Sequence, residues 1–258
     1  TSGTEITLDL DYSHYKNVSD QLLSTGFFDG DYKQTSDSMF LRGHLPAAID
    51  IFSLKSDFTK KYANGIKLEA GIKSSYVESD NLVDYLRKVG SNWYPDSRNN
   101  HFIYTENINA AYLNANKSFK KWDVQTGLRM ENTNTKGVQS SDNSVVKRSY
   151  VSLFPSVFVS YNVNAKNILT VSASRRLQRP NYQDLNPFTF FLDSLSYRQG
   201  NPYLTPQFSY NYELKHTYNN KLSTTLNYTT TTDVISQIIK RKKGTNNELI
   251  GFLTIDNI

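Results

Sequence analysis

The sequence predicts an all-β chain, an antiparallel transmembrane β-barrel segment of about ten strands, and three observations carry that reading. Apolar and polar residues alternate with period two along most of the chain, the connections alternate between short and long, and aromatic residues gather near both ends of the strands.

The alternation is clearest in four places. Ile6, Leu8, Leu10 and Tyr12 interleave with Glu5, Thr7, Asp9 and Asp11, and Ile66, Leu68, Ala70 and Ile72 with Lys67, Glu69, Gly71 and Lys73. Trp122, Val124, Thr126, Leu128 and Met130 oppose Asp123, Gln125, Gly127, Arg129 and Glu131, and Leu169, Val171 and Ala173 oppose Thr170, Ser172 and Ser174. Each run has one face suited to hydrocarbon and one suited to water. Weaker alternation over 40–58, 101–116, 150–161, 209–218, 222–239 and from 249 onward supplies the remaining strands. Pro155 has no N–H for a ladder, which predicts a bulge or a strand end there.

Between these runs, connections are long at 29–38, 77–100, 132–149 and 176–208, and short at 59–64, 118–121, 162–167 and 219–221. One end of the sheet therefore has tight turns and the other has excursions, as in outer-membrane barrels. The short loop at 242–247 departs from this parity, which expects a long one. Phe58, Tyr62, Phe119, Trp122, Tyr161 and Tyr218 flank the short turns; Tyr76, Phe102, Tyr104, Tyr150 and Tyr210 lie toward the other end. Two such rows predict interfacial girdles.

Composition narrows the function. Lys plus Arg number 29 against 24 acidic residues, a surplus of +5 that is too small and too scattered to predict a nucleic-acid partner. Cysteine is absent, which removes thiolate metal sites and cysteine nucleophiles. No apolar run reaches the ~18 residues of a membrane helix. A mean hydropathy of −0.56 is compatible with a barrel, because only alternate residues meet lipid. The length fits one large or two modest domains, read here as one β domain over 1–258.

Catalytic signals are poor. His14, His44, His101 and His216 are dispersed, with no pair at metal-ligand spacing. Ser118 and Lys121 make a Ser-x-x-Lys pattern, and Ser-Asp-Asn occurs at 79–81 and 141–143, but no Lys-Thr-Gly accompanies them and Ser118 falls in a tight turn. No enzyme, cofactor or metal site is expected. Lys240, Arg241, Lys242 and Lys243 read as a solvated loop tip, with contact to anionic headgroups as a second reading.

The most distinctive stretch follows the Leu169 run. It carries Arg175, Arg176, Arg179, Pro180, Tyr182, Asp184, Asn186 and Pro187, then Gly200, Asn201, Pro202 and Pro206. Four prolines and two turn-forming asparagines restrict this loop enough to predict order. It either caps the wall, inserts into the mouth, or carries function.

At these residues the sequence resembles the barrel portion of TonB-dependent outer-membrane receptors, specifically the outer-membrane β-barrel family common in Bacteroidetes. The run Ser-Arg-Arg-x-x-Arg-Pro-x-Tyr-x-Asp-Leu-Asn-Pro-Phe from Ser174 and the Gly-Asn-Pro-x-Leu-x-Pro from Gly200 are the most specific part. Residues 49–55, 127–133, 153–156 and 231–235 extend the resemblance over nearly the whole chain. It implies a barrel of about 22 strands around a plug domain. The plug would precede this segment, a TonB box would contact the energy coupler, and 1–258 would be an internal piece, about half of the wall.

The implied function is nutrient import, with outer-membrane lipid, the plug, a TonB-type coupler and an unknown ligand as partners. Lys67, Glu69, Lys73, Asp123, Gln125 and Arg129 are expected to face the lumen, and Tyr94, Phe190, Phe191 and Tyr197 are candidate ligand residues in the loops. The alternative is a non-energised outer-membrane barrel or a surface binding or adhesion module.

Overall fold

The computed structural model describes residues 3–193, 196–243 and 249–258. In chain order its elements are β1 (Gly3–Phe28), β2 (Gln34–Lys61), β3 (Ile66–Val89), β4 (Asn92–Pro95), β5 (Asn100–Phe119), β6 (Trp122–Gln139), β7 (Ser144–Asn164) and β8 (Asn167–Gln178). A one-turn helix α1 (Tyr182–Leu185), β9 (Thr189–Phe191) and β10 (Ser196–Gln199) follow, then β11 (Gln207–Tyr218), β12 (Leu222–Thr232), β13 (Ile235–Lys243) and β14 (Leu249–Asn257). The larger sheet is an antiparallel meander, β1-β2-β3-β5-β6-β7-β8-β11-β12, with β4 folded back on β3. A second sheet orders β13-β14-β10-β9.

Register sorts the side chains by face. Tyr12, Phe52 and Tyr76 stand in one cross-strand row, Ile72, Ala111, Met130 and Leu153 in another, and Val171, Leu214 and Leu226 in a third. Large apolar residues on this face have no protein cover; Leu10 is 73% exposed and Leu226 70%. Such a band is stable only against hydrocarbon. Beyond Tyr12 and Phe52 the same face turns polar, with His14 against Asp50 at 2.8 Å, His44 against Asp20 at 2.6 Å and His101 against Asp80 at 2.6 Å.

Two of the expected long loops are mostly strand, and a third is half strand. β3 runs on to Val89 and returns through β4, β6 runs on to Gln139, and β1 and β2 meet in a tight turn at residues 29–33. In that turn the Asp29 carboxylate accepts the Asp31 and Lys33 amides at 3.0 and 2.8 Å. Where alternation is lost, the strands nevertheless continue. Above the lipid band the outer face turns polar while the opposite face mixes Val83, Tyr85, Phe102 and Tyr104 with Ser79, Asn81 and Glu106, so the period-two signal fades while ladder hydrogen bonds continue. The short turns stand as expected: Asn219 and Asn220 both take φ near 50°, the geometry of a primed two-residue hairpin.

Two further expectations are corrected. Pro155 is neither at a bulge nor at a strand end; it pairs with Leu128 in unbroken register with β6. The β7–β8 ladder, however, runs only as far as Ser156 opposite Ser174. Leu153, two residues away and facing the same neighbour, gives its carbonyl to the Arg175 guanidinium at 2.8 Å. The missing N–H thus ends one ladder, and an arginine side chain spans the gap. Residues 222–239 are not one strand, because Asp233 takes a φ of 55° and turns the chain into β13. β13 and β14 form a hairpin that is itself the long excursion, which restores the parity. Its tip, 244–248, lies outside the described residues.

Candidate functional site

The segment between β8 and β11 folds back onto the face opposite the apolar band. Leu185, Phe188, Phe191 and Leu204 bury against Leu41, Leu45, Val83, Tyr85, Phe102 and Tyr104 of the wall. Phe102 meets Phe188 edge-on at 6.4 Å and Tyr85 meets Phe191 at 5.7 Å, orientations that aromatic pairs favour. Each of these four contributes about 1.5–3 kcal/mol of burial to docking.

Arg179 anchors the start of the loop. Its Nη2 donates to Glu131 at 2.6 Å and to Thr133 at 3.2 Å, and Glu106 lies 3.8 Å from its Nε. Burial disfavours the Arg179 charge, but Glu131 and Glu106 more than offset that cost and hold its pKa above the ordinary arginine value. Tyr182 donates to Glu106 at 3.5 Å, and burial followed by the Glu106 charge pushes its phenol up to about 12.

The rest of the motif shapes the loop itself. Asp184 accepts from Arg198 at 2.8 Å, its backbone carbonyl accepts the Asn201 amide at 2.7 Å, and Asn186 Oδ1 accepts the Phe188 amide at 3.1 Å. Gly200 passes so close that a Cβ would stand 2.2 Å from the Asn186 carbonyl oxygen. Asn201 Oδ1 accepts the Tyr203 amide at 2.9 Å, and Gln199 donates to the Pro187 carbonyl at 3.0 Å. Pro180, Pro202 and Pro206 crowd around Arg179 and Leu204. Arg175 lies over the Phe208 ring at 4.3 Å, whereas Arg176 projects as an exposed guanidinium. Ten of the twelve motif residues therefore build or anchor the loop, and Arg175 ties β8 to β7.

Several partners were missed at the level of sequence. Glu106, Arg148 and Asn257 carry no local signal, because only strand register and loop docking bring them to the motif. Arg148 donates to the Leu204 carbonyl at 2.5 Å and also to that of Tyr203, and Asn257 accepts the Thr205 amide at 2.8 Å. Asp96, at the tip beyond β4, binds Arg98 through both oxygens at 2.5 and 2.6 Å. Burial raises its carboxyl pKa, but the Arg98 guanidinium more than offsets this and holds it below the usual value.

The four candidate loop residues separate. Phe191 is 9% exposed, part of the core and beneath the Arg98 guanidinium at 4.1 Å, so it packs rather than waits for a ligand. Tyr197 is stacked on Phe252 at 5.1 Å, Phe190 lies half-buried beside the core, and Tyr94 stands 50% exposed on β4. Lys67, Glu69, Lys73, Asp123, Gln125 and Arg129 share the face that bears the loop. Lys67 pairs with Glu69, Arg129 with Glu131 at 2.7 Å, and Asp123 accepts from Asn116 at 3.1 Å.

Two cavities open at the long-loop end. One of about 360 Å³ lies between the loop and β1–β3, and one of about 480 Å³ lies between the loop, the β6–β7 tip and the β13–β14 hairpin. Among the described residues no group of three or more His, Cys, Asp or Glu is placed to hold a metal ion.

Solved structures share this fold. The ferric yersiniabactin uptake receptor of Yersinia pestis matches with a TM-score of 0.50 at 14% identity, over 91% of this chain and 36% of its own. The ferric-catecholate import receptor of E. coli K12 matches with a TM-score of 0.53 at 11% identity, over 96% of this chain and 43% of its own. The hemophore receptor of Serratia marcescens matches with a TM-score of 0.51 at 12% identity, over 95% of this chain and 50% of its own. The chain thus spans between about a third and a half of these receptors, and its fold is that of TonB-dependent receptor barrels. No curated protein sequence matches it. The sequence profile of the outer membrane protein beta-barrel family matches residues 1–258, so the chain belongs to that family and to the bacterial outer membrane.

Proposed function

We propose that residues 1–258 form part of the wall and the long loops of a TonB-dependent outer-membrane receptor that imports a nutrient ligand. The plug domain and the energy coupler would be supplied by the rest of the parent protein and its inner-membrane partner. The observation that carries this reading is the docked loop. It is an ordered structure on the face opposite the lipid band, fastened by Arg179 and a phenylalanine cluster, with open cavities beside it at the long-loop end. Ordered loops held by a rigid scaffold are where binding residues concentrate, which supports a receptor. In this reading Lys67, Glu69, Lys73, Asp123, Gln125 and Arg129 line the lumen, and no reaction is catalysed.

The test is uptake by cells that carry the parent gene. Loss of a receptor-dependent nutrient on deleting either the receptor or the TonB-type coupler supports the proposal. Binding or adhesion that survives loss of the coupler would instead establish the non-energised module.

A further inference from the structure

The smaller cavity has a lining of distinct chemistry. Leu45, Ala47 and Val83 from the wall and Phe188 and Phe190 from the loop form its apolar lining, with the exposed Leu192 beside them. Asn17, Ser19, Gln21, Asn81 and Gln183 form its polar rim. It adjoins a break in the wall: the β2–β3 ladder pairs His44 with Asp84 and resumes only at Ala47 with Asn81. Pro46 lies in that gap and also lines the cavity, where it has no N–H to give.

Charge narrows the occupant. The one charged side chain on the lining is Arg198, and Asp184 already engages it at 2.8 Å. An ion entering here would find no free counter-charge, and burying an unpaired charge is strongly unfavourable. The side-chain carboxamides of Asn17, Gln21 and Gln183 make no protein hydrogen bond among the described residues. Each offers two donors and one carbonyl acceptor, the complement of a peptide unit with its N–H and C=O. A hydroxyl-rich saccharide fits less well, since hydroxyls set against Leu45, Val83 and Phe190 would go unsatisfied.

We infer that this cavity is a binding site for an uncharged peptide-like ligand. An apolar side chain seats among Leu45, Val83 and Phe190, and the amide groups pair with Asn17, Gln21 and Gln183. The inference rests on the receptor reading above and names the ligand class taken at that mouth.

The experiment is calorimetric titration of the full receptor, purified in detergent, with N-acetyl-leucyl-leucine amide, the corresponding free acid and maltotriose. The capped amide is expected to saturate at a Kd below about 1 mM and to bind more tightly than the other two. Ala47→Phe fills the cavity, and Gln183→Ala removes a rim carboxamide at little risk to folding. Each is expected to weaken the capped amide by roughly tenfold or more while heat-modified gel migration stays unchanged. Absence of saturation, equal binding by correctly folded variants, or preference for the free acid or maltotriose would overturn the assignment. Coupler-dependent uptake measured on the same cells separates the two readings. Uptake without capped-amide binding sinks the ligand class alone, whereas binding without coupler-dependent uptake sinks the receptor reading and leaves the cavity assignment standing.

Discussion

Arg179 is the residue on which loop docking turns. It satisfies Glu131 directly and offsets the charge of Glu106, so removing it leaves the buried Glu106 carboxylate without a cation and Glu131 with Arg129 alone. Arg179→Met is expected to cost about 3–5 kcal/mol, the usual penalty for breaking a buried pair by removing one partner. Accelerated trypsin cleavage at Arg198, with the wall still protected, would be the readout, and unchanged cleavage would contradict the anchoring role. Gly200→Ala drives a methyl into the Asn186 and Asp184 carbonyls, and an unfolding midpoint lower by the equivalent of about 1–3 kcal/mol is expected. The Asp96–Arg98 clasp adds a pH dependence. Its carboxyl is lower in the folded chain than in the unfolded one, so its stabilisation is present above the unfolded value and is lost as pH falls through the folded one. The stability gap between wild type and Asp96→Asn should hold from neutral pH down to about 5 and close below about 4; a gap independent of pH would contradict it.

Strands are where periodicity both succeeded and failed. In the membrane band the two faces meet different solvents, so Ile66 to Lys73 and Trp122 to Glu131 announce their strands and their orientation. Above the band both faces meet water or the docked loop, and the extensions of β3 to Val89 and of β6 to Gln139 carry no such signature. They are strands because neighbours continue to accept and donate. The face assignment is testable: Leu128→Arg should cost about 2–4 kcal/mol in urea unfolding from vesicles, while Gln125→Arg on the opposite face should cost close to nothing. Equal costs would refute the assignment. Pro155 shows how one residue limits an element, since its partner strand departs at that point and Arg175 takes over the contact.

For the molecule as a whole, the uncovered band from Ile6 to Leu226 fixes the solvent in which the wall is stable. The chain is expected to show a β circular-dichroism spectrum and heat-modified migration in detergent micelles and to aggregate in plain buffer. A cooperative monomeric fold in buffer would overturn the lipid-facing assignment. Three determinants were legible from the amino-acid order: strand faces within the band, the tight-turn end, and the motif that orders the long loop. Each rests on interactions between residues close in the chain, or on a repeating contrast between two solvents. Tertiary structure alone decided where the loop docks, that Glu106 lies 73 residues before Arg179 yet beside it, and that a carboxamide-rimmed cavity forms between β1 and Gln183. Those facts depend on strand register and on the return of a distant segment to the sheet, which no local pattern encodes.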